Sequence, residues 1–287
     1  MTSRLGRLLR IEARKLRARR LTLAALVAVA AVALLAPWAR GVLDAAAALA
    51  RGEAPRADSW ANGWTALCGG VRAARLLVVL VVLVLSASCV AEETSGGTLQ
   101  ALLARPVRRL EILAAKALAV WGYAALLLGV AVASAAVGAE LTAGLYDVVD
   151  PLHPVPSRYT FGEMADYVLL AAALTGVALG ALVALGLTCS VLLDHPGHAT
   201  GLAVGVFLVA SAAGGVEQDL GQWLFVHPLS APFDVVANIA EQYTGFVGQL
   251  KAPAVARVAA TSTAWALALA GAAGAVLQRR DVTGRGA

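Results

Sequence analysis

The sequence predicts an all-α protein that crosses a membrane six times, and two observations carry that expectation. Hydrophobic residues make up 60% of the 287 and charged residues only 14%. The mean hydropathy is +0.76, outside the range of an ordinary water-soluble domain. The charges are also gathered into short intervals, which leaves nearly charge-free runs at 21–39, 76–91, 117–139, 167–193, 199–216 and 258–278. A helix rises about 1.5 Å per residue, so runs of roughly this length cross a hydrocarbon core of about 30 Å. The second run is short and requires Arg75 to reach outward along its aliphatic stem. A single transmembrane domain over residues 1–287 follows.

Ahead of the first run, residues 1–20 hold eight basic side chains (Arg4, Arg7, Arg10, Arg14, Lys15, Arg17, Arg19, Arg20) and one acid, Glu12. Leu5, Leu8, Leu9, Ala13 and Leu16 form an apolar stripe at helical spacing, which predicts an amphipathic helix at the membrane surface. A cleaved signal peptide is the competing reading. It would need an unusually long charged region, no clear small-residue cleavage site follows the apolar run, and further spans come after it.

Six is an even number, so both termini share one side. Placing 1–20, 92–116, the 193–199 turn and the tail inside collects 15 of the 23 basic residues and six of the 18 acids, a net +9. The other side keeps eight basic residues and twelve acids, a net −4. The bias of basic residues toward the inner side then puts both termini in the cytoplasm of a multi-pass cell-membrane protein. The outer segments are roughly 40–75, 140–166 and 217–257. In the first, Trp60 and Trp64 stand at i and i+4 and suit an interfacial aromatic belt. The last is semi-apolar, with Asp234 and Glu241 embedded, and predicts short interfacial or partly re-entrant helices.

The interval 92–116, AEETSGGTLQALLARPVRRLEILAAK with its preceding Ala91, separates two apolar runs. Burying Arg105, Arg108, Arg109 and Lys116 in lipid would cost roughly 2.5–3.5 kcal/mol each on the insertion scale, so the interval is expected in water. Leu99, Leu102 and Leu103 fall at i, i+3 and i+4 on a short helix that follows Gly96-Gly97 and stops at Pro106. Such a helix either lies on the headgroups or plugs into a partner protein.

Several chemistries are missing. No phosphate-binding G-x-x-x-x-G-K-[ST], G-x-G-x-x-G, H-E-x-x-H or G-x-S-x-G motif occurs, so the chain is not expected to be an enzyme or to hydrolyse ATP. Cys68, Cys89 and Cys189 are too few and too scattered for a disulfide framework or a zinc site. Asp194, His195 and His198 surround Pro196-Gly197 and read as a polar turn rather than a metal site. No catalytic, cofactor-binding or metal-binding residue is assigned. The apolar runs carry no interior acid, base or histidine, which argues against ion-coupled transport. Gly176 with Gly180 and Gly201 with Gly205 fit close helix packing.

One pattern is more specific. Glu92, Gly97, Thr98, Leu99, Leu102, Leu103, Pro106, Arg109, Ile112, Leu113 and Lys116 together resemble the loop after the second span in permease subunits of type-2 ATP-binding cassette exporters. The basic segment RIEARKLRARRL and the ending Gln278-Arg279-Arg280-Asp281 resemble the same family's N-terminal connecting helix and its usual terminus. The resemblance implies a permease, in two copies, docked on a separate ATP-binding subunit that holds the ATP and magnesium. It makes the helix near Thr98 the coupling element, with Glu92 and Glu93 at its membrane-proximal end. Leu99, Leu102 and Leu103 would form an apolar knob ringed by Arg105, Arg108 and Arg109, and Pro106 a rigid break before the third span. The implied partners are that subunit, a second copy and the lipid bilayer, with no nucleic acid. The uncharged runs, lined by Ala, Leu and Val, point to an amphipathic or lipid-like cargo more than to a bare ion. A non-transporting membrane scaffold or assembly factor is the alternative, and it has no need of this loop pattern.

Overall fold

The computed structural model describes residues 2–51, 62–96, 109–148, 159–216, 221–241 and 252–279. The helices are α1 (Thr2–Ala18), α2 (Arg20–Ala50), α3 (Gly63–Ser95), α4 (Arg109–Thr142), α5 (Phe161–Leu192), α6 (Pro196–Val216), α7 (Ala231–Glu241) and α8 (Ala252–Arg279). A 3-10 turn, His227–Leu229, precedes α7. Among the described residues no strand forms, and Val148 and Tyr159 meet in an isolated antiparallel bridge. The chain is all-α, and α2, α3, α4, α5, α6 and α8 are long and apolar enough to cross a membrane.

These helices outrun the apolar runs. Asn62 caps α3 by accepting a hydrogen bond from the Trp64 amide at 3.0 Å, so the helix starts at Gly63 rather than near Leu76. Its first three turns bury Trp64, Leu67, Cys68, Val71 and Ala74. The arginines that interrupt the hydropathy, Arg72 and Arg75, sit on its other flanks. Trp64 is accordingly no interfacial belt residue: it is 2% exposed, donates from Nε1 to the Tyr146 carbonyl at 2.8 Å and packs on Phe161. Trp60 lies outside the described residues. α5 starts with a complete capping box, in which the Thr160 side chain and the Glu163 side chain each serve the other's backbone amide.

α3 and α5 form the centre, and α2, α4, α6 and α8 pack around them. Gly70 and Gly138 allow the backbones of α3 and α4 to touch that of α2. A Cβ on Gly70 would lie 2.6 Å from the Ala33 carbonyl, and one on Gly138 would collide with the Leu34 carbonyl. Both carbonyls belong to the stretch of α2 just before Pro37, which has no N–H to return to Ala33. Small residues are what permit helices to close up in an apolar solvent, where burial itself gives little drive. Of the other small-residue pairs, Gly176 and Gly180 meet Trp121, whose Nε1 donates to the Gly176 carbonyl at 2.8 Å, while Gly201 and Gly205 face open space. α7 packs on α3 and α5 through Phe233, Val236, Ala237 and Ile239, and its Asp234 pairs with Arg72 at 2.8 Å.

Candidate functional site

At the Ser95 end of α3, charge is concentrated where α1, α3 and α4 meet. α1 turns into α2 at Arg19, an elbow held by the Thr22 hydroxyl, which donates to the Leu16 and Arg19 carbonyls at 2.5 and 2.6 Å. Tyr123 of α4 donates to the Thr22 carbonyl at 2.7 Å, so the elbow is tied to the bundle. α1 then lies along α4 with Leu8, Leu9, Glu12 and Leu16 turned inward and Ala13 outward. The only acid among the first twenty residues therefore points into the protein.

What it meets is Lys116. This side chain is 2% exposed, in the third turn of α4 rather than in a water-facing loop. Its ammonium has three N–H groups and three partners: Glu93 Oε1 at 2.7 Å, the Cys89 carbonyl at 3.2 Å and Glu12 Oε2 at 3.5 Å. Lys15 bridges the same two acids from the surface, at 3.0 Å to Glu12 Oε1 and 3.0 Å to Glu93 Oε1. Arg19 pairs with both oxygens of Glu92. Three cations thus face three carboxylates, and the buried ammonium is compensated where an isolated charge could not persist. Burial lowers the Lys15 pKa, but its hydrogen bonds to Glu12 and Glu93 outweigh this and the net shift is upward. Lys15 stays charged at any physiological pH.

This cluster closes one flank of the segment 97–108. Directly before Glu92, the Ser190 hydroxyl of α5 accepts hydrogen bonds from the Val90 and Ala91 amides, both at 2.9 Å. A side chain inserted into a helix ladder is one recognised cause of bending. Gly186, one turn earlier, leaves room for Ser86, with which any Cβ there would collide. The other flank is closed by Arg109, which donates from Nη1 to the Leu277 carbonyl of α8 at 3.0 Å. That carbonyl lies in the last turn of its helix, where carbonyls lack an intrahelical donor.

Of the residues singled out from the sequence, Glu92, Glu93 and Lys116 come together, and Arg109 stands apart at the start of α4, bonded to α8. Gly97, Thr98, Leu99, Leu102, Leu103, Arg105, Pro106 and Arg108 lie outside the described residues. Glu12, Lys15, Arg19 and Ser190 are additions. For Glu12 a signal existed, since at 100° per residue it falls within the arc of Leu5, Leu8, Leu9 and Leu16. His195 and His198 stack edge to face with ring centres 5.5 Å apart, and among the described residues no group of three or more His, Cys, Asp or Glu side chains is placed to hold a metal.

Residues 8–193 match the sequence model of a family described as ABC-2 family transporter protein. The match takes in the charge cluster, both flanks of 97–108 and the first four long helices. No curated protein matches the chain.

Proposed function

This chain belongs to the ABC-2 family of transporter proteins, and from that premise we propose that it is an exporter's permease whose 97–108 segment takes mechanical work from a separate ATP-binding subunit. As a member of that family it is a multi-pass membrane component of an ABC transporter, not the ATPase. The observation that carries the coupling role is the double clamp. One end of 97–108 is tied through Glu92 to the Arg19 elbow and through Glu93 to Lys15 of α1 and Lys116 of α4, the other through Arg109 to α8.

In this reading the apolar knob Leu99, Leu102 and Leu103 seats in a cleft of the ATP-binding subunit, with Arg105, Arg108 and Arg109 around it and Gly97-Thr98 at its start. Closure of that subunit on ATP pushes the segment. Because Glu92 and Glu93 are paired to two other helices, the push moves α1, α3 and α4 together instead of fraying the end of α3. Pro106 keeps the segment from merging with α4. Two copies of the chain enclose the path, both termini are cytoplasmic, and the cargo is amphipathic or lipid-like.

The reading is tested by Leu102→Asp, which puts a charge in the knob and changes nothing in the described bundle. The expected outcome is a normally inserted protein that no longer co-purifies with its ATP-binding subunit and no longer stimulates its ATP turnover. Wild-type levels of both would refute it.

A further inference from the structure

At the Gly63 half of the bundle, α3, α6 and the stretch 221–230 enclose a groove of about 480 Å³, within the size range of small-molecule sites. Its wall is apolar along Leu76 and Val79 of α3 and Phe207 and Leu208 of α6. One turn further along α3 the lining changes character to Arg72 and Arg75, with His227 beside them. Burial lowers the His227 pKa against the opposing pull of Asp234, so the imidazole is neutral at neutral pH and the local charge rests on the arginines. Arg72 is paired with Asp234. Arg75 is exposed and among the described residues forms no ion pair.

Depth adds to this. From Glu92 to Arg72 is twenty helical residues, about 30 Å, which is the thickness of a hydrocarbon core. With the Glu92 cluster at one membrane surface, both guanidinium groups stand near the other, at the level of lipid headgroups, and the apolar wall runs inward from them. A second observation lies at the inner side of the same place. Arg72, Arg75, Val79 and Leu229 also line a small cavity of about 20 Å³ that includes Thr175. The Thr175 hydroxyl oxygen is buried without a hydrogen-bond partner, although Thr on a helix can usually bond its own backbone. Buried polar atoms left unmatched are uncommon because they cost stability. Arg72 and Arg75 line both the groove and this cavity, so the polar lining continues inward from the arginines to Thr175.

We infer that this groove binds an amphiphile with an anionic headgroup, such as a carboxylate or phosphate. The headgroup is held by Arg75 with Arg72, and the alkyl chain lies along Leu76, Val79, Phe207 and Leu208. That the bound molecule is cargo rests on the permease reading above; the binding itself does not. An amphiphile passing through the bilayer and an anionic lipid already in it share this chemistry.

The test uses the full chain without any ATP-binding subunit, in phosphatidylcholine nanodiscs. The probe is a sixteen-carbon fatty acid carrying a mid-chain photoactivatable diazirine, compared with its methyl ester. The acid is expected to label peptides containing Leu76–Val79 and Phe207–Leu208 about tenfold more than the ester, since a charge-assisted contact is worth roughly that factor. Arg75→Gln should lose the preference, and Arg75→Lys, which keeps the charge, should retain most of it. Suppression by added phosphatidylglycerol would support the inference with a bilayer lipid as occupant; persistence in its presence would support it with a separate amphiphile. Equal labelling by acid and ester, labelling unchanged in Arg75→Gln, or displacement by millimolar inorganic phosphate alone would overturn it. Because no ATPase is present, that failure would leave the coupling role standing, and a failed Leu102→Asp test would leave the groove standing.

Discussion

Glu93→Gln removes one carboxylate from the cluster and keeps its shape. Lys116, 2% exposed, then retains the Cys89 carbonyl at 3.2 Å and Glu12 at 3.5 Å, but its shortest contact, at 2.7 Å, passes from a carboxylate to a neutral amide oxygen. Breaking a buried ion pair by deleting one partner costs roughly 3–5 kcal/mol, because a charge is stranded. Here Glu12 still offsets part of that charge, and the Lys15 arm of the network is largely solvent-screened, so about 2–3 kcal/mol is expected. Thermal or denaturant unfolding in detergent micelles reads this number. The companion variant is Glu93→Gln with Lys116→Met, which leaves no stranded ammonium. Buried ion pairs replaced by apolar groups of similar size are often nearly neutral, so the double variant should regain most of the loss, a coupling energy of at least about 1 kcal/mol. ATP turnover in the complex should stay impaired in both variants, since the ion pairs of Glu93 with Lys116 and Lys15 are gone in both. A single variant within about 0.5 kcal/mol of wild type, as expected of an unremarkable surface substitution, would refute the reasoning. So would a double variant whose loss equals the sum of the two single losses.

Two further outcomes follow. Ser190→Ala deletes the acceptor shared by Val90 and Ala91; amide exchange at those two positions should speed up with a loss of about 1 kcal/mol, and unchanged exchange would contradict the role given to this hydroxyl. Gly138→Val places a side chain against the Leu34 carbonyl and should cost about 1–3 kcal/mol by overpacking, whereas Gly129→Ala, with open space around it, should leave the unfolding midpoint nearly unchanged.

The six long helices were legible because a charge-free run is a local property that a window along the chain detects. Glu92 to Lys116 stood out for the same reason, as charge where the neighbours have none. The missed features are non-local. Lys116 reads as a loop cation until Glu12, 104 positions earlier, folds beside it, and a paired ammonium can be buried where a lone one cannot. The early start of α3 was hidden by Arg72 and Arg75, which depress hydropathy averages while sitting on flanks away from Leu67 and Val71. Trp64 resembled a membrane-interface residue until the Tyr146 carbonyl, on a separate segment, supplied its hydrogen-bond partner. Pro37 was visible in the sequence, but its use, exposing a carbonyl for Gly70 to approach, depends on two helices crossing at that point.

The proposal that residues 97–108 take up force from a cytoplasmic ATP-binding subunit is tested most directly by the side of the membrane they face. A cysteine at Leu102 treated with a membrane-impermeant maleimide should remain unlabelled in intact cells, label after permeabilisation, and be protected when the ATP-binding subunit is bound. Labelling in intact cells would contradict the account.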